Sequence, residues 1–252
     1  MKTIGFIGAG RVTNIFLQAF KNKNITIKNV SVFDTNAEVS EKLKQRFPEI
    51  AITDLKTVSS KEIVFIALHP PVIMDSLISI KDFVNKNSII ISLAPKITIE
   101  KISSLLGNQN VVRLIPNATS FINQGYNPVT FAPGFGTKKE MMDMLLVLGK
   151  TFETDESKLE AYAIASAMLP TYFWFQWYQM VEIAKQIGLS QVEANETVQE
   201  TLLASLDVMF KSGLNPAEVF DLIPVKPIGE NEGQIKEILQ TKLIGLYNKI
   251  KP

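Results

Sequence analysis

The chain of 252 residues contains no cysteine. Disulfides, zinc–thiolate centres and thiol nucleophiles are therefore excluded. It has a single histidine, His69, too few to build a histidine metal centre, so no metal is expected. Neither sign of charge prevails: 26 Lys and Arg stand against 25 Asp and Glu. That removes the electrostatic case for nucleic acid or an anionic membrane surface as partner. Long apolar runs are lacking too. Residues 161–181 carry no charge, but Pro170, Gln176 and Gln179 interrupt them. A helix buried within a subunit or between subunits is expected there, rather than a membrane span. A strand starts at once with no leader-like segment before it, so a cytoplasmic address is the expectation. No internal repeat, low-complexity stretch or long linker is present.

What is present begins at Ile4-Gly5-Phe6-Ile7-Gly8-Ala9-Gly10-Arg11-Val12-Thr13. An apolar run enters Gly-x-Gly and a helical pattern follows, the opening of a dinucleotide-binding domain. Gly8 permits the tight turn. Gly10 lets backbone approach a pyrophosphate, and the N–H groups around Arg11 and Val12 face the anion. Thr13 stands where the usual fingerprint has a third glycine, as a small residue that tolerates close helix–strand packing.

Helical spacing of Ile15, Phe16, Ala19 and Phe20 predicts a first helix over 11–21. Val30-Ser31-Val32-Phe33 is the second strand and ends in Asp34. A carboxylate there accepts from the adenosine ribose hydroxyls and repels a 2′-phosphate, so Asp34 leans toward NAD over NADP. Thr35 and Asn36 follow and can still donate to a phosphate. The structural alternative is that Asp34 caps the next helix, 37–46. Residues 51–52 begin a third strand. Residues 63–68 form an unbroken apolar run, as in a central parallel strand. Leu68, His69 and Pro70 close it where such sheets bind ligands. His69 either touches the cofactor or is a loop residue beside turn-shaping prolines. Further strands are predicted at 88–92, 111–115 and 125–132, and a helix at 138–148. Asn117 follows a strand end with both a donor and an acceptor. It either holds a nicotinamide or substrate, or bonds its own loop.

From residue 155 strand signals vanish. Helices are expected at 159–188, broken or kinked at Pro170, at 190–211 with Ser190 and Glu193 as capping box, after the Asn215 cap, and at 232–249. The fold class is therefore α/β: a doubly wound Rossmann-type domain over 1–154, then an all-helical domain over 155–252. The aromatic run 172–178 is more than one helix face requires, so a homodimer built through the helical domain is plausible. A ring-lined ligand pocket is the rival reading.

These pieces together resemble the pyrroline-5-carboxylate reductase family over nearly the whole chain. They are Gly5-Phe6-Ile7-Gly8-Ala9-Gly10, His69-Pro70, Val112-Arg113-Leu114-Ile115-Pro116-Asn117, Gly125, Ala132-Pro133-Gly134, Leu148-Gly149-Lys150, Pro170-x-Tyr172, Gly188-Leu189 and Asn215-Pro216-Ala217-Glu218. The resemblance implies an interlocked homodimer. It also implies hydride transfer from NAD(P)H to the C=N carbon of a cyclic imine acid, the product being proline in that family. On this footing Asn117 and Tyr172 are catalytic candidates. Substrate candidates are Ser166, Met168, Leu169 and Thr171, with Lys226, Gly229, Glu230 and Asn231. The family's Ser-Gly-Ser-Gly-Pro-Ala-Tyr is here Ser166-Ala167-Met168-Leu169-Pro170-Thr171-Tyr172. Its carboxylate-holding Ser-Pro-Gly-Gly-Thr-Thr is here Lys226-Pro227-Ile228-Gly229-Glu230-Asn231. These changes point to a more apolar substrate. They leave two alternatives: a nucleotide-binding dimer without turnover, or a reductase whose acceptor is a ketone or a deazaflavin.

Overall fold

The computed structural model describes residues 2–252, apart from the side chains of Pro70 and Pro71. By internal packing the chain forms two compact units: one runs to Met168 and regains Leu246–Pro252, the other is Leu169–Gly245.

The first unit opens with β1 (Ile4–Ile7), α1 (Arg11–Asn22), β2 (Val30–Phe33), α2 (Ala37–Arg46), β3 (Ala51–Ile52), α3 (Leu55–Ser59), β4 (Ile63–Ile66) and α4 (Pro70–Ile80). It continues with β5 (Ile89–Ser92), α5 (Ile99–Leu106), β6 (Val111–Leu114), β7 (Gly125–Phe131), α6 (Lys138–Leu145), β8 (Gly149–Glu153) and the short α7 (Leu159–Tyr162). The eight strands lie in the order β3-β2-β1-β4-β5-β6-β7-β8. All pairs are parallel except β6 with β7, so β7 and β8 run against the rest.

The period of two along a strand divides the core between the two faces of the sheet. Ile4 and Phe6 of β1 join Ile63 and Phe65 of β4 on one face, where Phe6 stacks on Phe65 at 4.5 Å between ring centroids. Ile7, Val64 and Ile66 go to the other, with Ile73, Leu77 and Ile80 of α4. Gly5 is where α3 approaches: a Cβ there would stand 2.4 Å from the Val58 carbonyl oxygen. Strand order reverses on either side of β1, which opens a crevice at the carboxyl ends of β1 and β4.

The strand expected over 63–68 stops at Ile66. His69 is followed by a helix, α4, rather than a loop. The helix expected over 138–148 is α6 and then a 3₁₀ turn, Leu146–Leu148.

The second unit holds α8 (Leu169–Gln186), α9 (Gln191–Lys211), α10 (Pro216–Asp221) and most of α11 (Glu232–Ile250). The expected boundary at 154 and 155 compares with one after Met168. Leu159 and Ala163 pack on Ile115 with Ile250, which holds both 155–168 and the last residues to the sheet domain. The helix expected over 159–188 is three pieces: α7, a π-helical turn at Ala163–Ala167, and α8 with Pro170 in its first turn. Ser190 and Glu193 form the expected capping box of α9, and Asn215 with Glu218 forms another on α10. Among the described residues no helix is long and apolar enough to cross a membrane.

Candidate active site

The glycine turn joins β1 to α1. Gly8 has φ +107°, and a Cβ there would lie 2.4 Å from the Ala67 carbonyl oxygen. Both the backbone angle and the neighbouring strand end therefore require glycine. A Cβ at Gly10 would meet nothing within 4 Å, so the space above that residue is open to a ligand. No side chain caps α1 and no acidic residue lies in its first turn, leaving the Arg11, Val12 and Thr13 N–H groups turned outward.

Thr13 does more than remain small. It is fully buried, and its hydroxyl donates to the Gly8 carbonyl at 2.6 Å, fastening helix to turn. Asp34 closes the turn from the other side. Its Oδ2 accepts from the Ala9 N–H at 2.8 Å and its Oδ1 from the Asn36 N–H at 2.8 Å. The cap of α2 is Asn36, which accepts from the Glu38 and Val39 N–H groups, so Asp34 is released from the capping role considered for it.

Beside this turn lies a cavity of about 280 Å³ lined by Ile7, Gly8, Phe33, Asp34, Thr35, Leu55, Leu68 and one face of α4. The volume is near the low end for ligand pockets, roughly 300 Å³, and suits a nucleoside rather than a whole dinucleotide. It brings together Gly8, Asp34, Thr35 and Leu68 from the expected cofactor set. His69 is exposed at the start of α4 and does not line it. The face of α4 is Val72, Asp75, Ser76 and Ser79, which the sequence reading missed. Their i, i+3, i+4, i+7 spacing was the available signal.

Asn117 is buried, and its side chain is spent on structure. Nδ2 donates to the Ser166 carbonyl at 3.1 Å and hydroxyl at 3.0 Å. Oδ1 accepts from the Thr119 N–H at 2.9 Å and hydroxyl at 2.8 Å. The amide is thus engaged by Ser166 on one side and by Thr119 of its own loop on the other, the latter being the loop-bonding alternative weighed for it. Ser166 in turn donates to the Tyr126 carbonyl at 3.2 Å. It sits in the π turn, closed by the Met168 N–H donating to the Ala163 carbonyl at 3.0 Å. Such turns occur often at functional sites.

Arg113, from the same motif, is fully buried and grips Glu160 Oε1 at 2.5 Å and Glu156 Oε1 at 2.9 Å. Glu160 also accepts from the Lys96 N–H at 2.9 Å, and Glu156 from the Ile99 N–H at 2.7 Å. This ties the end of β5 to the segment carrying Ser166. Lys96 is held there at φ +78°, a left-handed conformation unusual for a side-chain-bearing residue.

The other substrate candidates lie elsewhere. Met168 ends the first unit; Leu169, Thr171 and Tyr172 begin α8. Burial pushes the Tyr172 phenol above its usual range, which keeps it protonated but makes it a weaker acid at neutral pH. Lys226 and Gly229 line an apolar groove of about 890 Å³ within the second unit, whereas Glu230 and Asn231 are outside that lining. Among the described residues no cluster of metal-ligating side chains occurs.

A doubly wound sheet with an open glycine turn, an uncapped helix start and an acidic residue after β2 defines a Rossmann-type nucleotide-binding fold. The family model for coenzyme F420-dependent NADP oxidoreductases matches residues 3–96, the strands from β1 to β5. Pyrroline-5-carboxylate reductase of Corynebacterium melassecola is 23% identical, over 98% of this chain and 94% of that one. The structure of Plasmodium falciparum pyrroline carboxylate reductase with NADP bound superposes with TM-score 0.79 at 18% identity, covering 99% of this chain and 97% of that one. The Streptococcus pyogenes 1-pyrroline-5-carboxylate reductase gives 0.77 at 18%, covering 99% and 98%. The chain is thus similar in sequence to pyrroline-5-carboxylate reductases over nearly its whole length, and it shares their fold.

Proposed function

We propose that this protein is an NAD(P)H-dependent reductase, favouring NADH, that delivers hydride to the C=N bond of a small cyclic imine acid or a related acceptor. The observation that carries the reading is the glycine turn. Gly10 leaves open space and the start of α1 has unused N–H groups, which together suit a pyrophosphate. The nicotinamide cofactor supplies the hydride when bound. The chain supplies orientation. Gly8, Ala9, Gly10, Arg11 and Val12 form the phosphate cradle. Asp34 reads the ribose hydroxyls at the mouth of the cavity and disfavours a 2′-phosphate through like charge. Asn117 acts as a positioning residue that holds Ser166 and its π turn. With the Asn117 amide too weak an acid to serve and the Tyr172 phenol pushed up, water is the proton source this reading favours.

The active form in this reading is a homodimer through the helical unit. Support comes from how little that unit buries: between residues 169 and 245 the buried apolar side chains are Ala184 and Ala194. Phe175, Tyr178, Ile187, Phe210 and Ile223 are each more than half exposed.

NADH and NADPH oxidation with pyrroline-5-carboxylate as acceptor tests the proposal. Turnover with NADH the better donor is expected. NADH binding without oxidation, with imine or ketone acceptors, would favour a nucleotide-binding dimer over a reductase. Failure to bind either cofactor overturns the reading.

A further inference from the structure

The cavity beside the glycine turn is lined by two carboxylates from different elements, Asp34 after β2 and Asp75 on α4, and by no Lys or Arg. Asp34 is committed to the Ala9 and Asn36 N–H groups. The Asp75 carboxylate has no hydrogen bond or ion pair among the described residues, although its backbone carbonyl accepts from the Ser79 hydroxyl. The Ser76 hydroxyl likewise donates back to its own helix, to the Val72 carbonyl. Ile7, Phe33, Leu55, Leu68 and Val72 supply apolar walls. The face of α4 thus offers an apolar wall with one uncommitted acceptor at its edge.

A carboxylate only accepts hydrogen bonds. Of the groups on an adenine ring, the ring nitrogens accept and the exocyclic amine donates. An apolar slot with an unengaged carboxylate therefore matches adenine through its amine; a ring with a carbonyl at that position sets acceptor against acceptor there and moves its donor to the neighbouring ring N–H. We propose that Asp75 is a specificity-determining residue of the cofactor site, accepting a hydrogen bond from the exocyclic amine of adenine. This rests on the dinucleotide reading above and adds recognition of the base to recognition of the ribose.

The test compares binding of NADH with that of its reduced hypoxanthine analogue, in which a carbonyl replaces the amine. Binding is followed by calorimetry on the full chain. Wild type is expected to bind NADH roughly five- to tenfold more tightly, as for one hydrogen bond made at a solvent-exposed residue. Asp75→Ala should cut this preference below about twofold, with the loss falling on NADH. Asp75→Asn should keep NADH affinity, because the amide oxygen still accepts, and should improve binding of the analogue, because the amide nitrogen donates to its carbonyl. Equal binding of the two dinucleotides by wild type, or an unchanged ratio in Asp75→Ala, overturns the assignment and makes Asp75 a solvated surface carboxylate. If neither dinucleotide binds, the dinucleotide reading falls and this one falls with it.

Discussion

The two units of this chain satisfy their apolar residues in opposite ways. The sheet domain hides its own on both faces: Phe6, Phe16, Phe65, Ile66 and Leu77 are essentially inaccessible. The helical unit, built from equally apolar sequence, exposes its own along α8, α9 and α10. A sheet with helices on both faces closes a core within one chain. A few helices whose apolar residues spread around more than one face cannot, and exposed apolar area on this scale is what the proposed subunit interface would cover. The first unit is therefore suited to hold a site at the carboxyl ends of its central strands, and the second, in the homodimer proposed above, to assembly.

Three substitutions probe that contrast. The largest effect is expected at Arg113. Arg113→Met leaves Glu160, only 1% exposed, without its cation. Removing one partner of a buried ion pair costs about 3–5 kcal/mol, so denaturant midpoints should fall sharply. A loss below about 1 kcal/mol would mean the buried network adds little to the sheet domain. Next is Phe210→Glu on α9, a residue 72% exposed in the single chain. If the exposed face is a subunit interface, light scattering should show the dimer giving way to monomer and the melting temperature losing its dependence on concentration. An unchanged mass would break the comparison. The smallest effect is Ser190→Ala, which removes the α9 cap and costs about 1 kcal/mol.

The same cap carries a pH dependence. Hydrogen bonds from the Ser190 side chain and backbone hold the Glu193 carboxyl below its usual range. A lowered folded pKa means stabilisation present above the ordinary value of 4.5 and lost as pH falls through the folded one. Wild type should therefore lose this increment on acidification, and Ser190→Ala, which keeps only the backbone N–H donating to Glu193, should lose less, as thermal melts at neutral and acidic pH would read out.

What was legible in the sequence was local. The strands β1, β2 and β3, the start of α1, the capping box of α9 and the Asn215 cap of α10 all depend on residues within a few positions of one another. The family resemblance extended that to the order of the domains. The site was legible only in part. Gly8, Gly10 and Asp34 stood out because a turn and a strand end announce them. The commitment of Asn117 did not, because its partner Ser166 lies 49 residues away. Glu160, the buried partner of Arg113, is 47 residues away and looks in sequence like any helical surface charge.

The amino-acid sequence by itself determined the alternation of strands and helices, the glycine turn and the change to helix beyond residue 155, since hydrophobic period and capping chemistry act over one or two turns of chain. Only the tertiary structure decided that Asn117 bonds Ser166, that Thr13 bolts the turn and that α4 lends Asp75 to the cavity. It also decided that the last seven residues return to the first unit. Hydrogen-bond partnership and burial are set by which distant segments meet, and the spacing of residues along a chain carries no record of that meeting.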